Sequence, residues 1–294
     1  MKANSSKRNK VIAIVGPTAS GKTDYAVQLA KELNGEIVSS DSRLVYKRFD
    51  IGTAKPTQYE MQGIKHHLID IVEPTEDYSA GLYLKDAKVA INDIISRGKF
   101  PIVAGGTGLY FRVLLEDFDL PKVEPDFDLR NKLKLLSSED LYQILLDMDK
   151  KAAEFIDKND KKKLIRAIEV VKITGKPLAE NQRKKESEYD VEWIGMNYPR
   201  EILYDRINKR VDLMIEKGLI EETEKLLRKY GPIDNIIDTI GYKEIYSYLN
   251  KELELEEAVN LLKQNTRRYA KRQLTWFRKN SEIKWNYYPE KLNK

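Results

Sequence analysis

The sequence predicts an α/β fold: a core with a parallel sheet flanked by helices, plus a mostly helical insertion domain. Short apolar runs alternate with helical patterns such as residues 22–33 and 81–97, and this alternation is typical of parallel sheets. Helical patterns dominate after Phe118, where Pro121 and Pro125 interrupt the chain. The predicted strands are residues 11–15, 36–39, 67–72 and 101–104.

The domain boundaries follow from this change in character. We assign residues 1–115 and 196–294 to the core and residues 116–195 to the helical insertion. Within the insertion, Ser137 and Asp140 have the spacing of a capping box, and Asp160 can begin a helix that Gly175 ends. Further helices are predicted near the C-terminus, over residues 200–229 and 256–279.

The composition is that of a soluble globular protein. Hydrophobic residues make up 41% and charged residues 34% of the 294 residues, which argues against a disordered or a membrane-embedded chain. There is no cysteine, so disulfides and thiolate metal sites are excluded and a reducing compartment is expected. The apolar run behind the basic start MKANSSKRNK is too short for a signal peptide or a membrane span. We therefore expect a cytoplasmic protein that does not bind a membrane.

A glycine-rich segment, GPTASGKT at residues 16–23, lies between the first predicted strand and the first predicted helix. It satisfies the pattern G-x-x-x-x-G-K-T of phosphate-binding loops in the structural context that the pattern requires, so the core is predicted to be P-loop NTPase-like. Lys22 would reach the terminal phosphates, and the Thr23 hydroxyl would help to bind Mg²⁺. The alternative is an ordinary glycine-rich turn. The residues expected around the phosphates are Gly16, Pro17, Thr18, Ala19, Ser20, Gly21, Lys22 and Thr23.

This loop does not identify the phosphate compound that it binds. A P-loop kinase also needs an acidic residue that holds Mg²⁺ at the end of a neighbouring strand. The strand PIVAGG ends in glycines, and Asp41 and Asp70 follow other strands without closing a long apolar run. A small-molecule kinase stays open as an alternative, but the sequence does not supply its expected parts.

Two further loops follow predicted strands and should lie at the same edge of the sheet. In SSDSRLVYKRFDIGTAKP (residues 39–56), Asp41 can act as a general base; its alternative role is to cap a turn. In GGTGLY (residues 105–110), the glycines let the backbone approach a ligand closely, and Thr107 offers a hydroxyl. The alternative there is a tight turn that Thr107 caps.

Basic residues cluster in three places. The clusters lie at residues 161–166, at residues 183–185 and along the predicted helix at residues 263–279, which carries Arg268, Lys271 and Arg272. Each cluster alone is typical of a solvated helix surface, but three of them beside a phosphate site indicate a polyanionic partner. The charges do not distinguish RNA from DNA.

Taken together, these stretches resemble the bacterial tRNA dimethylallyltransferases, also called tRNA isopentenyltransferases. The resemblance extends over most of residues 11–279 and rests on GPTASGKT, SSDSRLVYKRFDIGTAKP, HHLID, GGTGLY, NDKKKLIRAIEV, IGYKE and TRRYAKRQLTWFR, in the order of that family. It implies transfer of a dimethylallyl group from dimethylallyl diphosphate to N6 of adenosine 37 in tRNA. It further implies Mg²⁺ as the cofactor and the tRNA anticodon stem-loop as the partner, and we expect a monomer.

The resemblance also assigns roles to residues. Residues 16–23 and Arg210 would hold the diphosphate, Asp41 would accept a proton from or hydrogen-bond the exocyclic amine, and Thr107 would lie beside the reacting centre. Leu44 departs from the family pattern, because many relatives carry Gln there. The residues that would contact tRNA are Asp41, Ser42, Arg43, Leu44, Thr107, Lys162, Lys163, Leu164, Ile165, Arg166, Arg268, Lys271 and Arg272.

Three rival functions remain for the sequence. An adenylate isopentenyltransferase would prenylate a free nucleotide, which needs neither a helical insertion nor basic C-terminal helices. A P-loop kinase would turn over ATP without transferring a prenyl group. A non-catalytic RNA-binding module would not need the complete phosphate-binding loop.

Overall fold

The computed structural model describes residues 8–116, 118, 120–181 and 187–287, which divide into two compact units. The described core residues, 8–115 and 188–287, form one unit, and the insertion, from residue 116 to residue 187, forms the other. The insertion ends earlier than the predicted residue 195, because Tyr189–Asn197 is a strand of the core sheet. The basic cluster at residues 183–185 lies outside the described residues.

Six strands form one sheet within the described residues. They are β1 (Asn9–Val15), β2 (Gly35–Ser40), β3 (His66–His67), β4 (Phe100–Gly105), β5 (Tyr189–Asn197) and β6 (Lys284–Tyr287). Their order is β3-β2-β4-β1-β5-β6, and every neighbouring pair is parallel. β1 lies between β4 and β5, so residues 11–15 are buried on both faces and form a continuous apolar run. The predicted α/β fold with a parallel sheet is confirmed.

Three central strands end at the same level of the sheet. Val15 of β1 and Ser40 of β2 are both register partners of Gly105 in β4, which runs between them. Because neighbouring strands lie about 4.8 Å apart, the chain leaves β1 and β2 at points about 10 Å apart. The loops that follow these three strands therefore begin side by side.

Helices account for most of the remaining chain. Before the insertion lie α1 (Lys22–Glu32), α2 (Gln58–Met61), α3 (Ala80–Ser96) and α4 (Gly108–Leu115). The insertion contains α5 (Phe127–Lys134), α6 (Ser138–Met148), α7 (Lys150–Phe155), α8 (Lys161–Thr174) and a 3₁₀ helix (Leu178–Asn181). After it come α9 (Arg200–Glu216), α10 (Leu219–Tyr230), α11 (Asp234–Ile237), α12 (Tyr242–Leu249) and α13 (Leu255–Phe277). In the described part of the chain, every helix is too short or too polar to span a lipid bilayer.

Local signals place several helix ends as predicted, and two predicted elements differ. The Ser137 side chain accepts the Asp140 N–H and the Asp140 side chain accepts the Ser137 N–H, so the capping box is confirmed. The predicted strand at residues 67–72 is much shorter, because Leu68 and Asp70 adopt left-handed backbone conformations with φ of 64° and 56°. The predicted helix at residues 200–229 is two helices, α9 and α10, which left-handed Gly218 separates.

The insertion has its own core and a buried charge. Glu169 on α8 is fully buried and accepts hydrogen bonds from Arg130 at 2.8 Å, from the Asp126 N–H at 2.8 Å and from Arg166. Burial raises the pKa of Glu169, but the hydrogen bonds from both arginines outweigh that effect and lower it overall. Arg166, which the sequence assigns to tRNA, therefore already holds the insertion together.

A second buried carboxylate, Glu36, lies near the amino end of β2. Glu36 of β2 is 2% exposed and accepts hydrogen bonds from Arg97 at 2.6 and 2.7 Å, from Lys99 at 2.8 Å and from His67 at 2.7 Å. The Arg97 hydrogen bonds, together with those from Lys99 and His67, hold the pKa of Glu36 far below its usual range despite burial.

We expect Glu36→Gln to lower the free energy of unfolding at pH 7 by about 2 kcal/mol, because charge-assisted hydrogen bonds become neutral ones. Folding lowers the pKa of Glu36, so its contribution is complete above the unfolded-state value near 4.5 and is lost progressively as pH falls below it. Urea unfolding at pH 7, 5 and 3.5 should therefore show that the difference in free energy of unfolding between the unmodified protein and Glu36→Gln becomes smaller in acid. Asp93→Asn, which removes an exposed partner of the same Arg97, should change the midpoint far less. A difference in free energy of unfolding that stays constant with pH would contradict this account of Glu36.

Candidate active site

The candidate site lies where β1, β2 and β4 end. The chain leaves β1 into the phosphate-binding loop, leaves β2 at Asp41 and leaves β4 into the Gly106–Thr107 turn. In a parallel sheet, this carboxyl edge is where ligands bind. The three loops that the sequence analysis singled out are therefore neighbours.

The phosphate-binding loop is shaped by backbone conformations that few residues adopt. Gly16 has φ of 149°, and a Cβ there would lie 2.2 Å from the Met196 carbonyl oxygen, so a side chain cannot be accommodated. Ala19 and Gly21 are also left-handed, with φ of 62° and 79°. Because Gly21 has no side chain to cap α1, the N–H groups of the first helical turn face the loop with their partial positive charge.

Three cations surround this loop. Lys22 donates to the Pro17 carbonyl at 2.6 Å, and Arg206 of α9 donates to the Ala19 carbonyl at 2.9 Å. Burial lowers the pKa of Lys22 to about 7, with a further decrease caused by Arg210, while Asp41 acts in the opposite direction. Burial and Arg206 likewise lower the pKa of Arg210. The positive charges destabilise one another, so an anion bound among them would be strongly favoured.

One carboxylate oxygen of Asp41 makes a local hydrogen bond, which leaves the other oxygen for a proton from a substrate. Its Oδ1 accepts the Arg43 N–H at 2.8 Å, which is the turn-capping role considered as the alternative for this residue. A carboxylate has a second oxygen, so capping and proton acceptance are compatible. Its effect on the pKa of Lys22 indicates that the acid and the phosphate-binding lysine share one site.

Thr107 connects the β4 loop to the Asp41 loop. Its N–H donates to the Ser40 carbonyl at 3.0 Å, and its Oγ1 accepts the Ser42 N–H at 3.0 Å. The Tyr269 hydroxyl of α13 lies beside the Thr107 hydroxyl, and burial followed by the charge of Asp41 raises the pKa of Tyr269. The sequence predicts Thr107 at this site but not Tyr269.

The glycines of GGTG allow close packing of neighbouring elements. A Cβ would lie 2.2 Å from the Ser40 oxygen at Gly105, 2.1 Å from Gln273 Nε2 at Gly106, and 2.2 Å from the Trp276 ring at Gly108. In this structure the missing side chains admit β2 and α13, and the close approach of a ligand to the same backbone stays a prediction.

Gln273 is a residue of this site that the sequence analysis missed. It is 5% exposed, and its side-chain amide contacts both the phosphate-binding loop and the β4 loop. A signal was present, because Gln273 lies three residues after Ala270 and four before Phe277, both buried. A glutamine within an apolar helix stripe needs buried partners.

The long loop after Asp41 is held in place by ion pairs and by hydrogen bonds to its backbone. Lys55, whose side chain is 6% exposed, donates to the Tyr46 carbonyl at 2.9 Å and pairs with Asp50 and Asp70. The Glu222 side chain accepts hydrogen bonds from the backbone N–H groups of Ile51 and Gly52 at 2.9 to 3.0 Å. The conspicuous segment DIGTAKP thus fixes the loop that carries Asp41.

The residues expected to contact tRNA fall into three groups. Ser42, Arg43 and Leu44 are half-buried in the Asp41 loop. On α13, Arg268, Lys271 and Arg272 are exposed on one side of the helix. On α8, Lys162 and Lys163 are exposed, whereas Leu164 and Ile165, 0% and 7% exposed, belong to the core of the insertion. The expectation for the side chains of Leu164 and Ile165 is therefore corrected: the helical period directs them inward.

Comparison with known proteins identifies relatives over nearly the whole chain. The IPP transferase family matches residues 44–280, and the isopentenyl transferase family matches residues 9–75. A tRNA dimethylallyltransferase of Acetivibrio thermocellus is 50% identical over 285 residues, covering 94% of this chain and 91% of the relative. One of Halalkalibacterium halodurans is 46% identical, covering 95% and 91%.

Solved structures agree with these relatives. The full-length tRNA isopentenylpyrophosphate transferase of Bacillus halodurans matches with a TM-score of 0.73 and 44% identity, covering 95% of this chain and 90% of that one. A eukaryotic dimethylallyltransferase acting on tRNA matches with a TM-score of 0.82 and 31% identity, covering 95% and 74%. With its phosphate-binding loop, Asp41 and Thr107 at one sheet edge, the chain belongs to the tRNA dimethylallyltransferase family.

Proposed function

We propose that this protein transfers the dimethylallyl group of dimethylallyl diphosphate to N6 of adenosine 37 in tRNA and releases diphosphate. The observation that carries the proposal is the juxtaposition of a cationic phosphate-binding loop, with Lys22 and Arg210, and a carboxylate, Asp41. Such a site can stabilise an anionic leaving group while it accepts a proton from the nucleophile. The tRNA dimethylallyltransferases among the relatives support the choice of donor and acceptor.

The leaving group is the side of the reaction that the phosphate-binding loop serves. As the bond between C1 and the diphosphate oxygen breaks, negative charge grows on the diphosphate, and fixed donors that meet it there lower the barrier. The N–H groups at the start of α1, Lys22 and Arg210 are such donors. Bound diphosphate would also keep Lys22 protonated, because an adjacent anion favours the charged form.

Mg²⁺ fits this site as a partner of the diphosphate and not as an ion held by protein alone. Among the described residues, no cluster of three or more His, Asp or Glu side chains could hold a metal ion. Thr23, exposed in the first turn of α1, offers one hydroxyl, and Mg²⁺ readily takes its other ligands from phosphates and water. When bound, Mg²⁺ would neutralise part of the charge on the diphosphate.

Asp41 and Thr107 would act on the nucleophile, the N6 amine of adenine. The adenine amine is weakly nucleophilic because its lone pair is delocalised into the ring, and attack on C1 places positive charge on N6. The Asp41 carboxylate would accept the N6 proton as the new C–N bond forms. A stacked base cannot reach this edge of the sheet, so the nucleotide would be extruded from the anticodon loop.

Exposed cations favour tRNA over a free nucleotide as the acceptor. Arg268, Lys271 and Arg272 on α13 and Lys162 and Lys163 in the insertion are exposed, which suits contacts to backbone phosphates. A mononucleotide would use neither set. We propose that the enzyme acts in the cytoplasm and as a monomer.

Incubation with labelled dimethylallyl diphosphate, Mg²⁺ and unmodified tRNA, followed by nucleoside analysis, tests the proposal. Label should appear in adenosine of tRNA and not in adenosine monophosphate supplied alone. Label in the free nucleotide would favour an adenylate isopentenyltransferase. ATP turnover without any prenyl transfer would favour a kinase and would reject the proposal.

Asp41→Asn should lower kcat by about 10²- to 10⁴-fold, because the amide cannot accept the proton, while tRNA affinity changes less than threefold. Asparagine retains a side-chain oxygen for the Arg43 N–H, so the turn should persist. Asp77→Asn, an exposed site, is the matched control. Single-turnover rates and filter binding separate the two effects, and an unchanged rate would exclude Asp41 as the base.

Lys22 should make diphosphate binding dependent on pH. Since the pKa of Lys22 is about 7 in the free protein, the cation that binds diphosphate is lost as pH rises above 7. The association constant for inorganic diphosphate, measured by calorimetry, should therefore fall about tenfold between pH 7 and 8.5. Lys22→Met should bind more weakly at pH 7 and show a flatter profile. An equally steep profile in that variant would assign the titration to another group.

Replacing Arg268, Lys271 and Arg272 together by glutamine should raise KM for tRNA and reduce the slope of log affinity against log salt concentration by about 2. The binding of inorganic diphosphate should be unchanged. The matched control replaces Lys225, Arg228 and Lys229, three exposed cations of α10, by glutamine. Equal salt slopes for the two triple variants would refute a specific role for α13.

A further inference from the structure

One buried glutamine connects the two loops that would hold the two reactants. The Gln273 Oε1 accepts the Thr18 N–H at 2.8 Å, and its Nε2 donates to the Gly106 carbonyl at 3.0 Å. Thr18 belongs to the phosphate-binding loop, and Gly106 directly precedes Thr107. A single planar amide therefore joins the phosphate-binding loop, which would hold the leaving group, to the β4 loop, which would lie beside the adenine that attacks.

The surroundings of this amide leave it little freedom. Gln273 is 5% exposed, and a Cβ on Gly106 would lie 2.1 Å from its Nε2 but 3.7 Å from the next group outside Gln273, the Gly16 carbonyl. Gly106 is thus compatible with Gln273 only because it lacks a side chain. The amide is therefore held between Thr18 and Gly106.

A role in stability alone does not account for this placement. Buried glutamines usually satisfy their own polar atoms, but both partners of Gln273 are backbone groups at the edges of the candidate site. In the proposed reaction, C1 of the donor and N6 of the acceptor must approach within about 3 to 3.5 Å in line, and an error of 1 Å can cost about a hundredfold in rate. The distance between these two loops sets that approach.

We infer that Gln273 is a positioning residue, which fixes the phosphate-binding loop relative to the β4 loop, Gly106–Thr107. The inference rests on the proposed prenyl transfer. Gln273 contacts neither reactant by this account and acts through the backbone of Thr18 and Gly106. Because it lies on α13, the helix with the exposed Arg268, Lys271 and Arg272, the helix expected to contact tRNA also aligns the reactive loops.

A double-mutant cycle tests the inference. Gly106→Ala should lower kcat about a hundredfold, because its methyl group displaces the Gln273 amide, and Gln273→Ala should lower kcat by ten- to a hundredfold. The double variant should be no slower than the slower single variant, because without the amide the methyl group meets no atom closer than 3.7 Å. Affinities for inorganic diphosphate and for tRNA should stay within threefold of those of the unmodified protein.

The partition of the donor gives a readout that a loss of stability alone would not change. A misaligned site lets water attack C1, so that the C–O bond breaks and dimethylallyl alcohol and diphosphate form. The ratio of alcohol to prenylated adenosine should rise at least fivefold in Gln273→Ala and should be unchanged in Gln264→Ala, an exposed site on the same helix. Gln273→Glu keeps an oxygen that can accept the Thr18 N–H but places a second oxygen against the Gly106 carbonyl. It should therefore behave like Gln273→Ala, and it replaces that variant in the test if Gln273→Ala does not fold.

Additive losses in log kcat across the cycle, or an unchanged partition ratio in Gln273→Ala or, where that variant does not fold, in Gln273→Glu, would overturn the inference. Absence of any transfer by the unmodified protein would instead reject the proposed function, so the two failures are distinguishable.

Discussion

The level at which three parallel strands end is the constraint on which this site depends. Val15, Gly105 and Ser40 are lateral neighbours across β1, β4 and β2, so the chain leaves the sheet three times within about 10 Å. Close approach at these points is possible only because side chains are absent: at Gly105 a Cβ would meet the Ser40 oxygen, and at Gly16 it would meet the Met196 oxygen. A shift of one residue in either pairing would separate the loops and turn their side chains to the opposite face.

Electrostatics then determine what this edge binds. Besides burial, Arg210 helps to lower the pKa of Lys22, and Arg206 helps to lower that of Arg210, so the loop carries an unfavourable excess of positive charge. Such a site is prepared for an anion before the anion arrives. Asp41 offsets part of this charge, and the same carboxylate is available to the acceptor, so the two halves of the proposed reaction are coupled through charge as well as through distance.

The sequence predicted the local features of this protein better than the long-range ones. The phosphate-binding loop, β1, α1 and the capping box of α6 follow from short patterns of residues, and their physics is local. The sequence does not predict β5, because Asp190 and Glu192 interrupt its apolar pattern. It predicts too long a β3, because hydropathy does not reveal the left-handed backbone conformations of Leu68 and Asp70. The contacts of Gln273 with Thr18 and Gly106 could not be derived, since they depend on how α13 packs.

The hydrogen bond between Thr18 and Gln273 joins positions 255 residues apart. At about 5 to 20 residues per second of synthesis, the ribosome makes the phosphate-binding loop roughly 13 to 50 s before it makes Gln273. During that interval the nascent chain carries a cationic loop without the helix that fixes it. The catalytic centre can therefore be completed only after α13 has been synthesised, long after the motif of the phosphate-binding loop.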